Sequence, residues 1–335
     1  MSDSLTPVAA VAEGVSANQR TTAWVRWAAY FRERFPLVAY GILIASFYSS
    51  NQFLAHVLTQ PKTPLSYDLT TVAGCIVILC IFFHLRIFDD HKDYSDDCVH
   101  WPERVLQRGV VTLGELKMLA AGALVVEFAL AAARGLGAVV AVMAAIGFTY
   151  LMYKEFFVAR WLKRHFLLYA STHMLLMPLL ALVVFSFATA MAPWHATGWF
   201  WVYASVSFFV AFNWEISRKI YVPAQERAGV DSYSKVFGTY AAAYIVLAVR
   251  VIDTALVMLV AWHLGLALWF YVALVLLFVV CAAGVLRFRL WPSPATAKQL
   301  GTYAGIYIVA FDLLLAIELA RKCGVVFQWF PGVHG

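Results

Sequence analysis

The sequence predicts an all-α fold, a polytopic membrane helix bundle of nine transmembrane helices with its active site at the cytoplasmic end. Three observations carry this. Of the 335 residues, 63% are hydrophobic and 13% charged, and the mean hydropathy is +0.76. A soluble domain carries about 25% charged residues. Apolar stretches of the length a bilayer demands, about 20 residues, recur from residue 36 to residue 320. Finally, Lys and Arg fall overwhelmingly in alternate connections, the pattern that fixes orientation in a membrane.

Residues 1–30 read as a disordered or interfacial N-terminal segment and residues 31–335 as one transmembrane domain. The first 35 residues include a polar stretch with Arg20, Arg26, Arg32 and Arg34 and lack the apolar core and cleavage site of a secretory signal, and the part to about Asn18 reads as disordered. Trp24 to Phe35, with Arg26, Arg32 and Arg34, suits an amphipathic helix lying at the membrane surface. The spans run over 36–58, 67–88, 112–133, 136–154, 165–190, 197–217, 237–262, 265–286 and 300–320, and no connection is long enough to fold separately. Numbering the sides alternately puts 20 Lys and Arg on the N-terminal side and four on the other, namely Lys62, Arg134, Arg321 and Lys322. The N-terminus is therefore expected in the cytoplasm of a bacterial inner-membrane protein. The net charge of +6 reports this orientation rather than nucleic-acid binding. The five cysteines, Cys75, Cys80, Cys98, Cys281 and Cys323, show no metal-ligand spacing.

The two most polar connections, 86–111 and 218–236, share the cytoplasmic side. In the first, Asp89, Asp93 and Asp97 recur every four residues. On a continuous helix each such step rises about 6 Å and turns about 40° past a full circle, so three carboxylates line one face. Their repulsion disappears when a divalent cation sits among them. Mg²⁺ takes a few carboxylates, waters and phosphate oxygens. Asp90 and Asp96 point elsewhere. An acidic, solvated helix end is the plainer reading of such a run, but this one begins where a membrane span ends. In the second connection, Glu215, Arg218 and Lys219 close the sixth span, Pro223 is expected to end that helix, and Glu226 and Asp231 follow. These offer carboxylates for a metal and cations for phosphate; flanking charges with local ion pairs are the alternative. Tyr150 and Lys154 close the fourth span, where Lys154 either binds phosphate or snorkels to the interface. Glu127, Arg250 with Asp253, and Asp312 lie within spans and belong inside the bundle. His84 and His173 read as core histidines with satisfied nitrogens.

These features resemble the UbiA superfamily of intramembrane prenyltransferases, over nearly the whole chain after residue 30. The family's first motif, Asn-x-x-x-Asp-x-x-x-Asp followed by Arg-Pro-Leu and a Gly, is matched by Asp89, Asp93 and Asp97, then Arg104, Val105, Leu106 and Gly109. Asp89 stands in the place of Asn, and Val105 in the place of Pro. Tyr150 and Lys154 match the family's Tyr-x-x-x-Lys. The second motif departs: counted back from Gly238, its three Asp positions fall near Lys219, Val222 and Glu226, and only Glu226 keeps a carboxylate. The resemblance implies Mg²⁺-dependent transfer of a polyprenyl group from its diphosphate to an aromatic or lipid-pathway acceptor within the membrane lipids. It implies metal ligands Asp89, Asp93 and Asp97 with Glu215 and Glu226, diphosphate ligands Arg104, Lys154, Arg218 and Lys219, and Tyr150 beside them. A terpene cyclase and a lipid-phosphate phosphoribosyltransferase are variants of the same superfamily. The rivals outside it are an ion-coupled transporter using Glu127, Asp253 and Asp312, and a CDP-alcohol phosphotransferase, against which the absence of Gly in residues 84–97 counts.

Overall fold

Residues 22–328 are described by the structure, a computed structural model; the disorder expected up to Asn18 falls outside them. Helix α1 (Ala23–Arg34) precedes α2 (Leu37–Thr59), α3 (Leu69–Lys92), α4 (Tyr94–His100), α5 (Leu113–Arg134) and α6 (Leu136–Tyr153). Then come α7 (Ala159–Arg164), α8 (Phe166–Met174), α9 (Leu176–Thr189), α10 (Gly198–Ser217), α11 (Tyr233–Phe237), α12 (Thr239–His263), α13 (Leu268–Leu290) and α14 (Pro294–Cys323). Two short strands, β1 (Leu65–Asp68) and β2 (Val325–Gln328), complete the described residues. The boundary expected at residue 30 falls inside α1, whose Tyr30 is fully buried.

Local sequence explains where the long helices start and stop. Asp68 with Thr71 caps α3, Thr112 with Glu115 caps α5, and Ser293 with Thr296 caps α14, each satisfying backbone N–H groups that a helix start leaves open. Between α5 and α6 the chain reverses through Gly135 alone, at φ 127°, a conformation that side chains rarely tolerate. The predicted fifth span is broken at Leu175 into α8 and α9, because Pro178 has no N–H to give to the preceding turn.

Among the described residues, seven helical stretches are long and apolar enough to cross a membrane: α3, α5, α6, the Phe166–Thr189 stretch, α12, α13 and α14. Helices α2 and α10 coincide with the other two predicted spans and have 23 and 20 residues, but they are less apolar. Their polar side chains face inward: Ser46, Ser50, Asn51 and Gln52 of α2 and Asn213, Glu215 and Ser217 of α10 are all buried. Helix α2 packs chiefly on α14 and α9, and α10 on α12 and α9. Such helices can be polar because protein, not lipid, surrounds their polar face. The outer helices show the reverse, as with Leu268, Val272, Leu276 and Val279 exposed along α13.

Contacts between connections define two ends. At one, β1 pairs in parallel with β2, Leu65 opposite Val325. The connection after α2 thus meets the chain after α14. At the other, Arg227 donates to the His100 carbonyl at 2.9 Å, and Trp101 lies between the guanidinium groups of Arg104 and Arg227, at 4.3 and 5.3 Å. The two polar connections therefore meet.

The interior polar groups find partners. His84 is bound on both nitrogens, by Glu127 at 2.7 Å and Thr149 at 2.9 Å, tying α3, α5 and α6 together. Arg250 pairs with Asp253 at 2.8 Å and Asn213 at 2.7 Å and lies on the Tyr307 ring. Asp312 accepts from Ser50 and from Tyr203.

Candidate active site

The first acidic motif does not lie on one unbroken helix face. Helix α3 ends at Lys92 and α4 begins at Tyr94, with Asp93 between them at φ −95° and ψ 5°. The backbone bonds from Asp93 to Asp89 and from Asp97 to Asp93 persist, at 2.9 and 2.8 Å, but the three carboxylates are sorted into different surroundings. Asp89 pairs loosely with Lys92, at 3.4 Å. Asp97 is buried, and accepts from Arg104 at 2.7 Å and from Arg34 at 3.5 Å. Asp93 accepts no side-chain hydrogen bond among the described residues. Burial holds its pKa above the usual carboxylate range, and the charges of Asp89 and Asp97 add to this against the counter-effect of Lys92. Asp90, as expected, faces elsewhere. It binds Tyr30 at 2.8 Å, Arg86 at 2.6 Å and Arg34, which fastens α1 to α3.

The second polar connection is organised by its own ion pairs. Buried Glu215 takes both Arg218 and Lys219. Glu226 accepts from Ser232 at 2.7 Å and Ser234 at 2.7 Å and staples the 218–236 loop. Helix α10 ends at Ser217, six residues before Pro223, which instead opens a 3₁₀ turn. Of the five carboxylates expected as metal ligands, Glu215 and Glu226 are therefore each engaged by partners within their own connection. Among the described residues, no three His, Cys, Asp or Glu side chains form a ready metal cluster. Arg104 is likewise committed to Asp97. The connections that carry the two motifs are joined by Arg227, which donates to the His100 carbonyl at 2.9 Å.

Tyr150 and Lys154 are exposed. Lys154 lies over the ring of Tyr153 at 4.7 Å and of Tyr150 at 5.9 Å, and no carboxylate pairs with it among the described residues. Both stand at the rim rather than on the aspartates. Beyond Lys154 the chain makes a left-handed turn: Glu155, Phe156 and Phe157 have φ of 46°, 53° and 61°. Three non-glycine residues in this region cost about 1–2 kcal/mol each, and such strain concentrates at functional sites. The turn presses Phe156 edge-on against His173, at 5.9 Å.

His173 is buried, as the sequence reading expected, but only one of its two nitrogens is satisfied. Its Nδ1 lies 2.7 Å from the Tyr169 carbonyl. A carbonyl only accepts, so Nδ1 carries the proton and Nε2 presents a lone pair. That Nε2 is buried and has no partner among the described residues. The ring stacks on Tyr169 at 4.2 Å, and Lys92 donates to the Tyr169 hydroxyl at 3.3 Å. Lys92 in turn pairs with Asp89, so α8 borders the acidic motif. No sequence spacing could reveal this, because the partners come from α3, α8 and the turn after α6.

The residues fit a divalent cation of the Mg²⁺ type. Mg²⁺ needs one or two carboxylates and completes its shell with water and phosphate oxygens. Asp93, half-buried one helical turn from Asp89 and without a side-chain hydrogen-bond donor among the described residues, would supply that environment, with Asp89 as the second oxygen ligand. Lys92, in its pair with Asp89, adds positive charge for an anion at the same place.

Comparison with known proteins bears on the family and the fold. The model of the UbiA prenyltransferase family matches residues 53–307. The fold is similar to that of a UbiA homologue from Aeropyrum pernix K1, with a TM-score of 0.62 at 14% identity, covering 84% of this chain and 97% of that one. A UbiA homologue from Archaeoglobus fulgidus, bound to GPP and Mg²⁺, gives 0.56 at 14% identity over 86% and 99%. A digeranylgeranylglyceryl phosphate synthase gives 0.58 at 18% identity over 85% and 99%. No curated protein matches the sequence.

Proposed function

The chain belongs to the UbiA prenyltransferase family, and from that premise we propose that it transfers a polyprenyl group from a polyprenyl diphosphate to an acceptor in the plane of the membrane. It is an integral membrane protein of the prenyltransferase type. In the reading proposed here, α2 and α10 join the seven apolar helical stretches as spans. The count is then nine, with the N-terminus and the acidic motif on the cytoplasmic side of a bacterial inner membrane.

The observation that carries the proposal is Asp93. It is a half-buried carboxylate, one helical turn from Asp89, that accepts no side-chain hydrogen bond among the described residues. Mg²⁺ held by Asp93 and Asp89 would neutralise the diphosphate and favour its departure. Arg218 and Lys219 donate to the same oxygens once the diphosphate competes with Glu215 for them. The prenyl carbon–oxygen bond breaks with its electron pair going to the diphosphate, and the same carbon bonds to the acceptor. The acceptor must lose a proton, and the Nε2 lone pair of His173 takes it. The bundle excludes water from the developing allylic cation.

The direct test is diphosphate release by the purified protein given prenyl diphosphates of graded chain length and candidate aromatic and lipid-type acceptors. Release that depends on Mg²⁺ and disappears in Asp93→Asn is expected. Equal release in EDTA, or none with any donor, overturns the proposal. The homologues bound to GPP and to DMAPP with Mg²⁺ make the short donors the place to begin. For His173→Gln the expected signature is a hundred-fold or so fall in kcat with little change in donor KM; an unchanged kcat removes His173 from the chemistry. A cyclase would release diphosphate without consuming an acceptor, and the same assay separates the two.

A further inference from the structure

On the outer side of α1, away from the acidic motif, a cleft of about 410 Å³ opens between that helix and the connection leading to α5. Its walls carry Val25, Arg26, Arg32 and Glu33 from α1, and Arg108 and Val110 from the connection. Two of the charged groups are already committed. Arg26 clamps both oxygens of Glu115, at 2.6 and 2.8 Å, and donates to the Val110 carbonyl at 2.7 Å. Glu33 accepts the Val105 N–H at 3.0 Å. Arg32 and Arg108 remain. Both are exposed, on facing walls, and neither has an ion-pair or hydrogen-bond partner for its guanidinium among the described residues. Two free guanidinium forks across a cleft of ligand size match a phosphate group.

The surroundings say which phosphate. Helix α1 leads through Phe35 and Pro36 directly into α2, so the cleft lies beside the start of a membrane-embedded bundle. Trp24 and Val25 are 80% and 52% exposed on the same helix, and Met118 is 70% exposed on α5. The Arg26–Glu115 pair holds that first turn of α5 against α1. Apolar surface for acyl chains thus adjoins the cationic cleft, the combination by which interfacial segments hold anionic lipids. We propose that this cleft is a binding site for the phosphate headgroup of an anionic membrane phospholipid, bridged between Arg32 and Arg108.

The site has a mechanical connection to Asp97. One wall continues two residues on into Arg34, which reaches Asp97 at 3.5 Å. The other begins one helical turn earlier at Arg104, which reaches Asp97 at 2.7 Å and accepts the Arg108 N–H on its carbonyl at 2.9 Å. A headgroup spanning the cleft therefore holds together the two segments whose arginines occupy Asp97.

The test is binding, read independently of turnover, so its outcome does not hang on the prenyl-transfer reading. Short-chain phosphatidylglycerol is titrated into the full-length protein in neutral detergent, with thermal unfolding as the readout, against phosphatidylcholine and against inorganic phosphate. Phosphatidylglycerol is expected to raise the melting temperature saturably, and the other two are not. In Arg32→Gln/Arg108→Gln the half-saturating lipid concentration should rise about thirty-fold. The melting temperature without lipid should stay at the wild-type value, since neither guanidinium has a partner to lose. The double Lys variant should recover part of the binding. Equal stabilisation by phosphatidylcholine, equal stabilisation by inorganic phosphate, or an undiminished response in the Gln variant overturns the proposal.

Discussion

Adjacent aspartates in this chain have opposite jobs, and stability measurements should separate them. Asp93 has a raised pKa caused first by burial. A raised carboxylate pKa means that the fold favours the protonated form. The stability it contributes is present at low pH and is lost as pH rises through the shifted value. At neutral pH, without metal, ionised Asp93 is therefore a cost. Asp93→Asn should raise the melting temperature in EDTA by a few degrees and abolish the stabilisation that Mg²⁺ with a diphosphate analogue gives the wild type. A lowered melting temperature in EDTA would contradict the assignment. Asp90 is the opposite case. It is 1% exposed and holds Tyr30, Arg34 and Arg86. Asp90→Ala leaves two arginines facing a buried gap and should cost about 3 kcal/mol, seen in chemical denaturation, with α1 detaching first by hydrogen exchange.

Among the elements, the turn after α6 is the one under strain. Phe157 has φ 61° and is 69% exposed, so its side chain contributes little packing to set against its backbone conformation. Glycine enters that region freely. Phe157→Gly should stabilise the protein by about 1 kcal/mol, read as a higher unfolding temperature in detergent. The same change at Phe156 should not, because that ring packs on Phe148 and His173. If Phe157→Gly lowers the unfolding temperature, the left-handed turn is held by contacts of Phe157 itself. Helix α1 also has more to do than lie on the membrane: Tyr30 and Arg34 reach the buried Asp90, and Arg26 ties its outer face to α5.

For the whole molecule, two features argue for one arrangement. Strand pairing joins the chain after α2 to the chain after α14, and Arg227 joins the two polar connections at the other end. Together with the 20-to-4 partition of Lys and Arg, this supports the proposed arrangement in which the chain after α14 lies across the membrane from the acidic motif. A reporter in the 218–236 loop should be cytoplasmic and one after Gly335 external. The same side for both would mean an even number of spans between the 218–236 loop and the C-terminus, where the nine-span reading has three, and would remove that reading.

The sequence by itself determined the membrane class, the position of the long helices, the two polar connections and the acidic motif. Each depends on local composition or on periodicity, which the chain carries in order. The sequence marked α2 and α10 as spans without showing why their Asn51 and Glu215 are tolerable; that depends on the protein around them. Tertiary structure alone decided the fate of the charges. It gave Asp97 to Arg34 and Arg104, Glu215 to Arg218 and Lys219, and Glu226 to two serines, and left Asp93 without a donor. It also put the bare nitrogen of His173 beside the motif, 80 residues from Asp93 by number. A carboxylate's role depends on which cation reaches it first, and in a bundle that cation comes from another helix, at a distance and angle that spacing along one chain does not encode.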